Sequence, residues 1–384
     1  MKNVLAIFAI LLSLGLQAQS AMHNTGNIRI HEQGQIGFHT NLINNTAFDQ
    51  NLGLVGFYGS NIISVSGAFM PIFYDIEIAL DQEVQLNTGI SVLNNTNFIE
   101  GNIATPRQQQ EVYYNFLDEA DYIGETDFSK VDGYVTANNV STMEFPVGDA
   151  TQLRALTLVS NTTNKFVKCA YYRDNVDNPL ISTQRFDTIQ KPMSVGRIST
   201  KEFWHLEATE NSSIQISWNP DSDLAALTDN VAKIIPVGWS IARGSWVNLG
   251  TESVMGDLET GMLISRNFVP SDYAAITFAS ASKPKDLLTL DNYLVTPNGD
   301  GVNDFLFIEE LQRSQDHMLR IFDRNGLKVY EEKNYTNGFT GYSNVNNLVI
   351  NRDQGLPDGI YYYIVDMYDL KLSYQGYLYL ERKR

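Results

Sequence analysis

The sequence predicts an all-β protein of several domains. Two observations point there. Short runs of alternating apolar and polar residues recur along the chain, broken by Gly, Asn, Asp and Pro, and a helical period is hard to find in any window. The composition is that of a folded chain: 384 residues, 43% hydrophobic and 18% charged, suffice for two or three cores and argue against wholesale disorder.

The first twenty residues, MKNVLAIFAILLSLGLQAQS, stand apart from that pattern. Lys2 precedes an apolar run from Val4 to Leu16 that is too short to span a bilayer, and Ala18 offers a cleavage site. Residues 1–18 therefore read as a secretory signal peptide. Loss of Lys2 would take the formal charge from −17 to −18. Such an acidic chain excludes nucleic acid as a natural partner, because phosphate binding needs clustered Lys and Arg. The single cysteine, Cys169, allows no intrachain disulfide.

Residues 19–145 read as an N-terminal β-rich domain. Between Ser60 and Ile103 the runs IISVSGAF, FYDIEIAL, EVQLNTGISVL and FIEGNIAT return at a loose interval of around twenty residues, the spacing of stacked coils. A β-solenoid is the preferred reading and a meandering β-sandwich the alternative. Residues 146–281 read as a central β-sandwich, from runs such as NKFVKCAYY, SIQISW, KIIPVGWS and YAAITFAS, with Trp218, Trp239 and Trp246 as candidate core residues. The small, polar stretch ASASKPKD ends this region, and residues 282–286 read as a linker.

Residues 287–384 read as a third, small β-sandwich domain. The segment HMLRIFDRNGLKVYEE is a hairpin, with Asn325-Gly326 expected to supply the positive φ of a two-residue turn. Pro357-Asp358-Gly359 then turns the chain into a strand. Tyr361, Tyr363, Val365 and Met367 share one of its faces, and Tyr362, Ile364, Asp366 and Tyr368 share the other. The last hundred residues carry 11 Lys/Arg and 15 Asp/Glu, a net of −4.

This C-terminal region carries a family likeness. TPNGDGVNDFLFI, then LRIFDRNGLKVYE, then LPDGIYYYIVD, then a Gly-aromatic strand ending in Arg, closely resemble the gliding-motility-associated C-terminal domain of Bacteroidetes proteins, the type-B sorting domain of the type IX secretion system. The residues that carry it are Thr296, Pro297, Asn298, Gly299, Asp300, Gly301, Asn303, Asp304, Asn325, Gly326, Pro357, Gly359, Tyr361, Tyr362, Arg382 and Arg384. The family usually has an aromatic where Asn325 stands. The resemblance implies a secreted protein that passes the inner membrane by its signal peptide and reaches the cell surface, outer membrane or medium through the type IX translocon. It also implies type IX components as partners, including an outer-membrane barrel of the PorP/SprF kind. Other surface proteins or glycans could meet the body.

The chemistry-bearing residues point to binding or structure more than to catalysis. An EF-type calcium loop with Gly301 at its sixth position would put Phe307 where the bidentate acid belongs. A turn held by Asn and Asp side chains fits better, with a looser calcium site from Asn298, Asp300, Asn303 and Asp304 as the alternative. His23, His31, His39, His205 and His317 lack zinc spacing. Cys169 sits in an alternating strand, and Asp118, Glu119 and Asp121 read as a solvated face. There is no Gly-x-Ser-x-Gly or His-Glu-x-x-His motif. The expectation is a structural or adhesive, gliding-associated surface protein without enzymatic activity and with no cofactor beyond that calcium. An accessory subunit of the secretion or gliding machinery is one alternative, and a carbohydrate-binding or hydrolytic surface protein is another.

Overall fold

The computed structural model describes residues 21–282, 293–346, 354–370 and 372–382. The chain is all-β, and it divides into two compact units that meet at Ala281 and Ser282. The signal peptide expected at residues 1–18 and most of the expected linker lie outside the described residues.

The first unit begins as a β-solenoid. Its strands pair in parallel with the next coil: Gln35 stands opposite Leu54, Leu42 opposite Val65 and Ile63 opposite Val84. Equal residues stack because in-register parallel pairing repeats the same side of each strand from coil to coil. Phe38 therefore stacks on Phe57 with centroids 5.4 Å apart, and Phe48 meets Phe73 edge-on at 5.1 Å. Polar residues stack too. At one corner Asn24 Nδ2 donates to Asn44 Oδ1 at 2.7 Å, and Asn44 Nδ2 donates to the Phe69 carbonyl at 2.9 Å. Both asparagines are buried, so the ladder supplies partners that water cannot.

The solenoid runs without a break into an antiparallel region. Strand Tyr134–Phe145 pairs in parallel with Tyr114–Phe116 on one side and antiparallel with Leu156–Tyr172 on the other. The boundary expected between residues 145 and 146 falls at the end of this strand. Pairs on both sides of it, Phe145 with Leu156 and Val131 with Val147, belong to the same sheet. One hydrophobic core extends from Ile30 to Phe278 and takes in Trp204 and Trp218. A second, around Tyr134, Tyr172, Phe203 and Trp246, covers the other side of the antiparallel strands, with Trp239 half-buried against Trp246. Cys169 is fully buried in the main core, and burial pushes its thiol well above the ordinary range.

The second unit is a single five-stranded sheet among its described residues. Strand Tyr293–Val295 pairs in parallel with Leu372–Leu380. That strand pairs with Gly359–Met367, which pairs with His317–Phe322, which pairs with Lys328–Lys333. Tyr361, Tyr363, Val365 and Met367 face inward, as their alternation requires. Their cover comes from loops: Leu306, Ile308, Tyr335, Phe339 and Leu356 close the core. The hairpin differs from expectation. Asn325 is not in the left-handed region; Gly326 alone is, at φ 82°, and Asp323 N–H bonds the Leu327 carbonyl across a three-residue loop. One left-handed glycine suffices because a bulge follows, where the register shifts between Ile321 and Phe322.

Candidate functional site

The loop Thr296–Asp304 opens the second unit just after its first strand. Asp304 organises it: Oδ1 accepts the N–H groups of Asn298 and Gly299 at 3.0 and 2.7 Å, and Oδ2 accepts that of Gly301 at 2.8 Å. Asn298 Oδ1 accepts from Asp300 N–H, and Asp300 Oδ1 accepts from Val302 N–H. Gly299, Gly301 and Asn303 take positive φ, which glycine and asparagine tolerate best. Thr296 N–H closes the loop on the Asn303 carbonyl at 2.7 Å. The oxygens of Asp304 thus point inward at backbone donors. A calcium ion held by Asn298, Asp300, Asn303 and Asp304 would share these oxygens with the backbone donors. Among the described residues no three carboxylate, histidine or cysteine side chains converge on a metal-sized position.

Five of the remaining signature residues gather at one end of the sheet. Asn325, Pro357, Gly359, Tyr361 and Tyr362 line a groove of about 540 Å³, together with Asp323, Arg324, Leu327, Val329, Leu356, Asp358 and Ile360. The hairpin loop forms one side, and the Pro-Asp-Gly turn forms the other. Tyr361 donates its hydroxyl to the Pro357 carbonyl at 2.7 Å. Burial, reinforced by the charges of Asp323 and Asp358, pushes the Tyr361 phenol up to about 12. Both carboxylates line the groove beside Tyr361.

Arg382 fastens the last strand to this end. Its N–H bonds Asp358 Oδ1 at 2.8 Å, and its guanidinium reaches the Tyr342 hydroxyl and the Gln354 carbonyl while lying 4.9 Å above the Tyr342 ring. The guanidinium rests so close to Gly355 that a Cβ there would overlap it. Arg382 thus serves inside the unit, and Arg384 lies outside the described residues. Sequence reasoning missed Asp323, Tyr342 and Gly355. Only Asp323 left a signal, two residues before Asn325, where an Asx turn places its cap; its Oδ1 accepts the N–H groups of Asn325 and Leu327.

Apart from His317 in the second unit, the other candidates are dispersed over the first unit. Asp118, Glu119 and Asp121 are exposed at the margin of a shallow, acidic cavity. His205 is bonded through Nδ1 to the Tyr134 hydroxyl at 3.1 Å, with Nε2 3.6 Å from Glu207. Its burial lowers its pKa, although Glu207 opposes that shift and Lys168 adds to it. Glu202 lies buried beneath a small polar cavity, where Arg154 Nη2 holds both of its oxygens at 2.8 and 2.7 Å and the Tyr171 hydroxyl donates at 2.8 Å.

No curated protein and no solved structure matches the chain. Residues 288–380 match the family model described as the CHU_C Type IX secretion signal domain. The second unit, with its Asp304-centred loop and its groove of signature residues, is a type IX secretion signal domain.

Proposed function

We propose that this protein is a cell-surface protein with a structural or adhesive, gliding-associated role, delivered by its second unit after a signal peptide has taken it across the inner membrane. A type IX secretion signal domain implies export to the cell surface or extracellular space and contact with the type IX machinery. The observation that carries the proposal is the coincidence of that domain with a unit that has its own core. An outer-membrane barrel of the PorP/SprF kind is the partner we infer for it. The first unit supports a non-enzymatic reading: its buried Glu202 is held by Arg154 and Tyr171, and Cys169 is enclosed in the core. The stacked coils at the start of the first unit suit lateral contacts with other surface molecules.

Deleting residues 287–384 and assaying periplasm, cell surface and medium tests the proposal. Accumulation in the periplasm is the expected result, and undiminished surface display refutes the sorting role. Recovery of the full-length protein as a fixed part of a purified outer-membrane complex would instead make it a machinery subunit.

A further inference from the structure

Among the described residues, the start of strand Gly359–Met367 is paired on one side only. Its register with Leu372–Leu380 begins at Gly359, opposite Leu380, whereas its register with His317–Phe322 begins at Tyr362, opposite Phe322. Gly359, Ile360 and Tyr361 therefore run past the end of the neighbouring strand, where the chain turns away through Asp323 and Leu327. The groove occupies that position. Its floor is apolar, with Val329, Leu356 and Tyr361 buried, while Ile360 and Tyr362 stand at its margin 48% and 51% exposed.

Two carboxylates border this floor, and neither is used up. Asp323 employs Oδ1 on its own loop, and Asp358 employs Oδ1 on Arg382 N–H. Their second oxygens have no hydrogen bond or ion pair among the described residues. Against them the groove lining among the described residues offers one guanidinium, that of Arg324. The charge balance favours a cationic occupant, and the open strand edge favours an extended one.

We propose that this groove receives an extended, basic segment of a partner protein, which adds a short strand beside Gly359–Tyr361 and sets a lysine or arginine against Asp323 and Asp358. The identity of that partner as an export component rests on the sorting role proposed above; the groove's chemistry does not. Main-chain hydrogen bonds supply affinity in strand addition, and side-chain contacts supply selection. The exposed face of Tyr362 offers a guanidinium a second contact.

The test uses the full-length protein and a short, fluorescein-labelled peptide of alternating threonine and valine with one central arginine. Matched peptides carry citrulline or glutamate at that place. The arginine peptide should bind at least about tenfold more tightly than the citrulline peptide, and the glutamate peptide should bind most weakly. The pair Asp323→Asn and Asp358→Asn keeps the acceptor oxygens and removes the charge, so it should abolish that preference without lowering the melting temperature. Amide exchange at Gly359–Tyr361 should slow on binding. Equal affinity for arginine and citrulline, or a preference that survives the double variant, overturns the proposal. Binding that appears only after residues 383 and 384 are removed assigns the groove to the chain's own basic tail and overturns the partner. Failure of the sorting role shows in the deletion strain alone, so the two can fail separately.

Discussion

The two units solve the same problem, covering a sheet, in opposite ways. The first repeats itself: coil lies on coil, and Asn24 bonds Asn44 as Phe38 stacks on Phe57. Buried polar pairs in it span long sequence separations, as Arg154 and Glu202 do. The second unit covers one sheet with loops, and those loops are held by local caps: Asp304 and Asp323 bond backbone donors no more than six residues away. The contrast teaches where each unit is vulnerable. Damage to the first comes from removing a buried partner, and damage to the second comes from releasing a loop.

The strongest challenge to this contrast is Arg154→Met. It leaves the Glu202 carboxylate buried without its cation, a loss of about 3–5 kcal/mol. In a calorimetric melt the transition of the first unit should fall and that of the second should stay. Adding Glu202→Leu should recover most of the loss; a single variant as stable as the parent would show that the pair is solvated. Next in size is Asn44→Ala, which strands the Asn24 amide and the Phe69 carbonyl inside the solenoid at a cost of about 2–3 kcal/mol. Chemical denaturation measures it, and a loss below half a kilocalorie would mean that the ladder is not a source of stability. A smaller effect follows from Asp304→Ala. Three exposed N–H groups lose their acceptor, for about 1–2 kcal/mol, and here only the second transition should move.

The smallest expected effect is a pH response of the first unit. Burial depresses the His205 pKa below its ordinary value, so the unfolded chain takes up the proton first as pH falls. Stability is then fully present above about 6.5 and declines as pH drops from there toward the depressed folded value. His205→Gln should flatten that decline in melts followed across the window. An unchanged slope would assign it to carboxylates instead.

Much of the second unit was legible because its determinants are local. The alternation of Tyr361, Tyr363, Val365 and Met367 names a buried face without reference to any partner. Turn chemistry marks the loop Thr296–Asp304 equally well. The hairpin was misread in detail because Asn-Gly announces a two-residue turn, whereas Asp323 captured the backbone two residues earlier. In the first unit the recurring interval exposed the coils, but the join between coils and antiparallel strands left no trace. A strand paired in parallel on one side and antiparallel on the other, as Tyr134–Phe145 is, has the same alternation as any other. Leu156–Tyr172 is one strand although polar residues interrupt its alternation. Asn164 explains the continuity: its buried side chain accepts from the N–H groups of Thr209 and Glu210. The groove of the second unit was half visible, since Pro357, Asp358 and Gly359 stood out as a turn while Asp323 did not.

Strand Tyr273–Ala281, the last of the first unit, has bonded neighbours on both flanks: Ile234–Ser240 on one, and Val195–Ile198 with Trp204 on the other. Ala281 ends both that strand and the first unit. A tether leaving an edge strand would peel the sheet open one bond at a time. Here the load runs along an inner strand, and antiparallel ladders on both sides resist it together in shear. Tension applied along the chain at Ala281 would therefore be shared by two ladders instead of opening the first unit bond by bond.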